Sequence, residues 1–242
     1  MLAFTERDLS PEAQRAFQEF VSRRVRGEPV AYIVGHKEFF GLDLAVSPAV
    51  LIPRPETELL VEMALERTFS SVADLGTGSG AIALALKRQR PQARVVAVEA
   101  SAAALAIARR NAVKHDAQVE FRHGRWFEPL AGERFDLIVS NPPYVARGDP
   151  HLEALRFEPA RALIGGDDGL DRIREIVRES PRYLQPGGWL LLEHGMGQDG
   201  AVRGLLAEAG LEGVTSRPDL SGIPRVAAGK RPDEAVKSPH EH

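Results

Sequence analysis

Cysteine is absent from this chain. Disulfides, thiol nucleophiles and cysteine-ligated metals are therefore excluded together, and a reducing compartment fits. A strong charge of one sign is missing too. The formal net charge is -3, so there is no overall basic field of the kind a dedicated nucleic-acid binder carries. No apolar run approaches the length that spans a bilayer. Met1–Ser10 carries Glu6, Arg7 and Asp8 and lacks the apolar segment of a signal peptide. The histidines contain no zincin pair, and no Ser-His-Asp elbow is present. Asp167, Asp168 and Asp171 do not follow the alternate spacing and late Glu of a calcium loop, so a solvated turn and helix cap is expected there. His240 and His242 lie in a polar tail, Lys230–His242, expected to be disordered and to hold no specific metal. These absences lead to an expected cytoplasmic protein with no metal, no membrane contact and no direct nucleic-acid binding.

What is present fits an α/β protein. The 242 residues, 43% hydrophobic and 27% charged, suffice for one large α/β domain, or one domain with a small appendage. Ser10-Pro11-Glu12 is a helix start, and Phe17, Phe20, Val21 and Val25 follow at helical spacing up to about Arg26, with Gly27 as the stop. Glu28 to Ile52 is a hairpin region in which Phe39-Phe40 and Leu42–Val46 flank a glycine. Pro53-Arg54-Pro55-Glu56-Thr57-Glu58 opens a second helix with the stripe Leu59, Leu60 and Met63. That rigid polar segment is either a well-capped helix start or one wall of a ligand pocket.

From Ser71 the pattern becomes β-α-β. A strand, Val72–Leu75, runs into the loop Gly76-Thr77-Gly78-Ser79-Gly80, then a helix from Ala81 to Arg88 and a strand Val95–Val98 ending at Glu99. Glycines let backbone N–H groups approach a ligand, and the helix start adds a positive end. An acid about twenty residues past such a loop, at a strand end, is placed to accept from a ribose diol. Glu99 occupies that position. The loop thus points to a nucleoside-bearing cofactor and leaves open whether that is a nicotinamide dinucleotide or S-adenosyl-L-methionine. A helix Ala102–Lys114 and a strand Val119–Phe121 follow, then Trp126 and Phe127, which are either core or a ring for an adenine.

Phe135–Ser140 is a buried parallel strand halted by Asn141-Pro142-Pro143-Tyr144. An Asn amide, two carbonyls that accept and cannot donate, and an aromatic face suit a planar NH2-bearing group. A rigid structural turn is the alternative. In open α/β sheets ligands bind at the carboxyl ends of the strands, and the glycine loop, Glu99 and this turn all fall on that edge. Beyond it, Ala146–Leu170 is a polar insertion. Then come a helix Ile173–Leu184, a Pro186-Gly187-Gly188 turn, a strand Trp189–Glu193, a helix Ala201–Ala209 and a strand Val226–Ala228.

In this order, the glycine loop, Glu99 and Asn141-Pro142-Pro143-Tyr144 resemble a class I S-adenosylmethionine-dependent methyltransferase acting on nitrogen. Glu28–Ile33, Leu51–Glu58 and Asp219-Leu220-Ser221-Gly222 with Arg225 are similar to the HemK/PrmC family, which methylates a glutamine side-chain amide in peptide chain release factors. The resemblance covers roughly Leu9 to Gly229. It implies a doubly wound, Rossmann-like, mostly parallel seven-stranded sheet with helices on both faces, preceded by a short N-terminal helix and a β-hairpin. It also implies a division into a docking-domain remnant at 1–27, a hairpin linker at 28–52, the methyltransferase domain at 53–229 and a tail at 230–242. Gly76, Thr77, Gly78, Ser79 and Gly80 would hold the methionine end of S-adenosyl-L-methionine, Glu99 its ribose and Trp126 its adenine. Asn141 would meet both cofactor and substrate. Asn141 and the Pro142 carbonyl would accept the substrate hydrogens, with Pro143 beside them and Tyr144 against the amide plane. The implied partner is a class 1 release factor. Two departures stand out: Arg125 occupies a position that is usually Asp, and the N-terminal helical domain is shorter than is usual. A ribosomal-protein glutamine methyltransferase and an adenine-N6 nucleic-acid methyltransferase are the neighbouring alternatives. A nicotinamide-dependent oxidoreductase would leave the Asn-Pro-Pro-Tyr turn without a purpose.

Overall fold

Alternation of apolar residues along the strands decides the layers. In the computed structural model, which describes residues 10–233, Val95 and Ala97 pack on one face of the sheet and Val96 and Val98 on the other. Both faces are covered, so the strands are apolar on both sides, as a parallel sheet requires.

Helix α1 (Pro11–Val25) starts where expected. Ser10 Oγ accepts from Ala13 N at 3.2 Å, and Pro11 supplies a first position with no N–H to satisfy. Its apolar stripe forms but is not covered: no residue of α1 is buried, and Val25 is 82% exposed. A short helix α2 (Val30–Val34) follows, which the hairpin reading of this region did not include. The hairpin itself is β1 (His36–Phe39) and β2 (Leu42–Ala45), turned by Phe40 and Gly41, both at positive φ. Such two-residue turns match the twist of the strands they join. Asn111 fastens the hairpin to the rest of the chain. Its amide exchanges hydrogen bonds with Ala45 N and O and also donates to Ser79 O at 2.9 Å.

Pro55–Thr57 forms one 3-10 turn before α3 (Glu58–Leu65). The winding then runs β3 (Ser71–Leu75), α4 (Ala81–Gln89), β4 (Arg94–Glu99), α5 (Ala102–Lys114), β5 (Glu120–His123) and β6 (Phe135–Ser140). The insertion holds a small parallel pair, β7 (Val145–Ala146) and β8 (Ile164–Gly166). After it come α6 (Asp171–Tyr183), β9 (Leu184–Glu193), α7 (Asp199–Glu208), β10 (Glu212–Pro218) and β11 (Pro224–Lys230). The sheet order is β10-β11-β9-β6-β3-β4-β5, with β11 antiparallel to both of its neighbours.

Two further details differ from the sequence reading. Pro186-Gly187-Gly188 is an irregularity inside β9: Phe135 pairs with Leu184 and Leu137 with Trp189, so extra residues bulge out between them. Strand β10 completes the seven strands that the resemblance implied but was not placed by the residue pattern, because Glu212–Pro218 is polar and at the sheet edge, with no buried residue to create a pattern. The tail histidines lie outside the described residues.

Candidate active site

One cleft opens at the carboxyl ends of β3, β4 and β6, and three sides of it come from separate parts of the chain. Gly76–Ser79 and Ile82 form its floor, Glu99, Ala100 and Trp126 one side, and Asn141 and Pro143 the other. Val50, Pro53, Arg54 and Thr57, from before the sheet begins, close it.

The floor is built by backbone. Gly76 N and Thr77 N both donate to Val98 O, at 2.9 and 3.0 Å, which folds the loop over the end of β4. Gly76, Gly78 and Gly80 all have positive φ, where a side chain costs energy. A Cβ on Gly76 would sit 3.1 Å from the Trp126 ring. Gly80 has a different use: it does not line the cleft, and a Cβ there would press on Leu84 and Ala108, so it lets α4 and α5 approach. Glu99 accepts from Gly78 N at 2.9 Å through one carboxylate oxygen and from Ser101 N at 2.8 Å through the other. Each oxygen keeps a lone pair for a further donor.

Beneath the loop lies Asp74, which the sequence reading passed over as part of a strand. It is fully buried; Oδ2 accepts from Thr77 Oγ1 at 2.5 Å and from Ala83 N at 3.2 Å, and Oδ1 has no partner. Burial pushes its pKa up to about 7 against these hydrogen bonds. Its place favours one of the two cofactor classes left open above. A pyrophosphate needs the free positive start of α4, but Asp74 already occupies a first-turn amide. An acid under the loop suits a cationic ligand end. Small apolar residues and a half-buried indole on one side, glycine backbone below and an acceptor pair at Glu99 fit S-adenosyl-L-methionine.

Trp126 lies at positive φ and half-buried, with its indole N–H donating to Glu175 Oε2 at 2.9 Å. Arg125 pairs with the same carboxylate, so its side chain is held toward α6. Phe127 is core, stacked on Tyr183 with ring centroids 4.4 Å apart.

On the opposite side, Asn141 Nδ2 donates to Thr57 Oγ1 at 3.0 Å. Pro142 is buried, and neither it nor Tyr144 lines the cleft, whereas Pro143 does. Tyr144 is held at both ends: its hydroxyl donates to Glu193 Oε1 at 3.1 Å, and its carbonyl accepts from Gln198 Nε2 at 2.9 Å. Burial, the largest cause, and the neighbouring Glu193 raise the Tyr144 pKa, so its hydroxyl keeps its proton. Glu193, at the end of β9, is 1% exposed, and burial pushes its pKa up to about 7. The insertion, expected as polar and loop-like, also supports this wall. A Cβ on Gly165 would fall 2.5 Å from Pro143 O, and one on Gly169 would fall 2.3 Å from Tyr144 O. Asp168 closes an exposed turn as expected, accepting from Leu170 N at 3.0 Å, but it does not cap α6, which has no side-chain cap.

The Pro53–Glu58 segment is anchored from below. Glu158, 3% exposed along its side chain, pairs with Arg54 and accepts from Ile52 N at 3.0 Å. Glu58 turns away from the cleft and accepts from Phe40 N at 2.9 Å. Of the residues the sequence reading missed, Asp74 and Glu193 carried a signal, a carboxylate at the end of an apolar strand. Thr57 lay in the segment read as a possible pocket wall, which it is, but nothing singled it out there; Glu158 carried no signal.

Comparison with known proteins agrees with this geometry. A family model described as the methyltransferase small domain matches residues 55–158, and one described as the PrmC N-terminal domain matches residues 1–35. The release factor glutamine methyltransferase of Xylella fastidiosa is 56% identical over 238 residues, covering 95% of this chain and 86% of the relative. That of Pseudomonas aeruginosa is 51% identical over 231 residues, covering 93% and 84%. Among solved structures, a methyltransferase from Pyrococcus furiosus superposes with a TM-score of 0.63 at 19% identity, covering 89% of this chain and 100% of that one. The hMettl16 catalytic domain superposes at 0.65 with 18% identity, covering 86% and 83%. These two share the fold.

Proposed function

The chain belongs to the release factor glutamine methyltransferase family, and from that premise we propose that it transfers a methyl group from S-adenosyl-L-methionine to the side-chain amide nitrogen of the glutamine in the Gly-Gly-Gln motif of class 1 peptide chain release factors, in the cytoplasm. One observation carries the reading at the level of chemistry. With Asn141 Nδ2 spent on Thr57 Oγ1 at 3.0 Å, the Asn141 carbonyl oxygen is left to accept from an NH2 group brought into the cleft. In this proposal the Pro142 carbonyl is the second acceptor and the Tyr144 ring lies against the amide plane; neither residue lines the cleft, so both contacts depend on the glutamine reaching past Asn141 and Pro143.

A primary amide nitrogen is a poor nucleophile because its lone pair is delocalised into the carbonyl. Bound S-adenosyl-L-methionine supplies a methyl already activated on a sulfonium. The protein's share is orientation: acceptors on both N–H groups fix the nitrogen in line with the methyl and return electron density to it. Well-oriented intramolecular reactions gain on the order of 7–11 kcal/mol. No residue of the cleft is assigned as a base; the amide proton passes to solvent. In the same proposal Gly76–Ser79 hold the methionine end, Glu99 the ribose and Trp126 the adenine, while Gly80 packs α4 on α5. Helix α1, with Phe17 and Val25 uncovered, belongs to a docking region for the protein substrate. Among the described residues no helix is long and apolar enough to cross a membrane.

The test is transfer of labelled methyl to a purified, unmodified release factor, beside adenine-containing duplex DNA and with Asn141→Ala as control. Label on a release-factor glutamine, reduced by about 100-fold or more in the control, supports the reading. Label on DNA, or on neither substrate with cofactor bound, overturns the choice of substrate.

A further inference from the structure

Helix α7 is preceded by Gln198, whose side chain leaves the helix uncapped. Ser, Thr, Asp and Asn are preferred at that position because a short polar side chain can satisfy a first-turn N–H. The backbone of Gln198 does join the helix, its carbonyl accepting from Val202 N at 2.9 Å. The helix thus fixes where the side chain starts, and the side chain is spent elsewhere.

Both ends of the Gln198 amide are committed. Nε2 donates to Tyr144 O at 2.9 Å, and Oε1 accepts from Gly195 N at 2.8 Å. A backbone carbonyl only accepts and a backbone N–H only donates, so this amide has one sense and cannot turn over. Two glycines make room for it. A Cβ on Gly169 would lie 2.3 Å from Tyr144 O and 2.7 Å from Gln198 Nε2. A Cβ on Gly195 would lie 3.0 Å from Gln198 Oε1 and 3.2 Å from Tyr144 Cδ2.

These contacts converge on Tyr144. The stretch from Glu193 to Gln198 receives its hydroxyl at Glu193 Oε1, borders its ring edge at Gly195 and holds its carbonyl through Gln198. Val145 N donates to Leu163 O at 2.8 Å, so the peptide unit after Tyr144 is held on both sides. Before it stand Pro142 and Pro143, whose rings fix φ. A displacement of Tyr144 is therefore passed back along the turn toward Asn141 instead of being absorbed.

We propose that Gln198 is a positioning residue for the methyl transfer: by holding the Tyr144 carbonyl it locks the far end of the Asn-Pro-Pro-Tyr turn, and so keeps the Tyr144 ring and the Asn141 oxygen in one fixed relation for the substrate amide. This inference rests on the proposed methyl transfer to an amide nitrogen.

The experiment compares wild type, Gln198→Ala and Gln198→Glu in turnover of an unmodified release factor, in S-adenosyl-L-methionine binding by calorimetry, and in NMR of ring-labelled tyrosine. The chain has three tyrosines, Tyr32, Tyr144 and Tyr183, and Tyr144→Phe assigns the signal of interest. Glutamate keeps an acceptor for Gly195 N but turns an oxygen toward the Tyr144 carbonyl, so it separates holding the Gly195 loop from holding Tyr144. Both Gln198 variants should lose about 10- to 100-fold in kcat, bind the cofactor as the wild type does, and move the Tyr144 signal while leaving Tyr32 and Tyr183 in place. Wild-type kcat in either variant, or a Tyr144 signal that neither variant moves, overturns the inference. Should the variants fail to fold, the Gln198 side-chain amide of the wild-type protein decides: solvent exchange slower than that of exposed Gln118 supports the bond to Tyr144, and exchange as fast overturns it. A wild-type protein inactive on release factors would refute the proposed function, whereas the ring signal still reports whether Gln198 holds Tyr144, which keeps the two failures distinct.

Discussion

Gly78 N donates to Glu99 Oε2 at 2.9 Å, so the glycine loop and the acid at the end of the next strand are one unit. The carboxylate is both an anchor for the loop and the acceptor proposed for the ribose. Glu99→Ala removes both. Hydrogen bonds to charged groups contribute about 1.5–3 kcal/mol each, so cofactor affinity should fall by about 10- to 100-fold. Calorimetric titration of the variant with S-adenosyl-L-methionine checks this, and unchanged affinity would refute the assignment of Glu99.

Gly165 is required by its neighbours. An added Cβ would lie 2.4 Å from Gly169 O and 2.5 Å from Pro143 O, both backbone atoms that cannot rotate away. Gly165→Ala should cost about 1–3 kcal/mol and lower kcat, because relief of the clash moves Pro143 and Tyr144. Gly200→Ala is the control. Nothing lies within 4 Å of its added Cβ and Gly200 is inside α7, so its thermal midpoint should stay level or rise.

Stability should carry a pH signature from two buried carboxyls. Asp74 and Glu193 are each raised to about 7, from ordinary values of 3.8 and 4.5. A carboxyl with a raised folded pKa favours the folded state while it is neutral in both states. That contribution is whole below the unfolded pKa and is lost as pH rises through about 7. Its size is on the order of a few kcal/mol per group. Urea unfolding from pH 4.5 to 8 should therefore show a smaller decline in Asp74→Asn than in the wild type. An identical pH slope in both would contradict a raised Asp74.

Glu158 ties the Pro53–Glu58 segment to the insertion through Arg54 and Ile52 N. Glu158→Ala leaves a buried N–H unpaired and a half-buried guanidinium without its partner. The expected loss is about 1–3 kcal/mol, with a rise in KM because Thr57 and Arg54 line the cleft. Denaturant unfolding and steady-state kinetics measure the two effects, and wild-type values in both would show that the segment stands without its anchor.

The local order of elements was legible because it rests on near-neighbour chemistry. Phe135–Ser140 and Ala102–Lys114 are strand and helix with the bounds their residue patterns suggest. The glycine loop and Glu99 could be paired by spacing, since strand, loop and helix lengths place an acid about twenty residues on beside the loop. What the sequence by itself determined was thus the winding, the cofactor class narrowed by motif, and the edge on which the site lies. Tertiary structure alone decided the contacts between distant parts. Thr57 meets Asn141 across 84 positions, Arg54 meets Glu158 across 104, and Gly165 fits against Pro143. No period or propensity encodes such pairs, because they arise only when packing of the sheet faces brings separate loops to one edge. The same limit explains α1, whose stripe of Phe17, Phe20 and Val21 predicts a helix but not that its apolar face is left uncovered among the described residues.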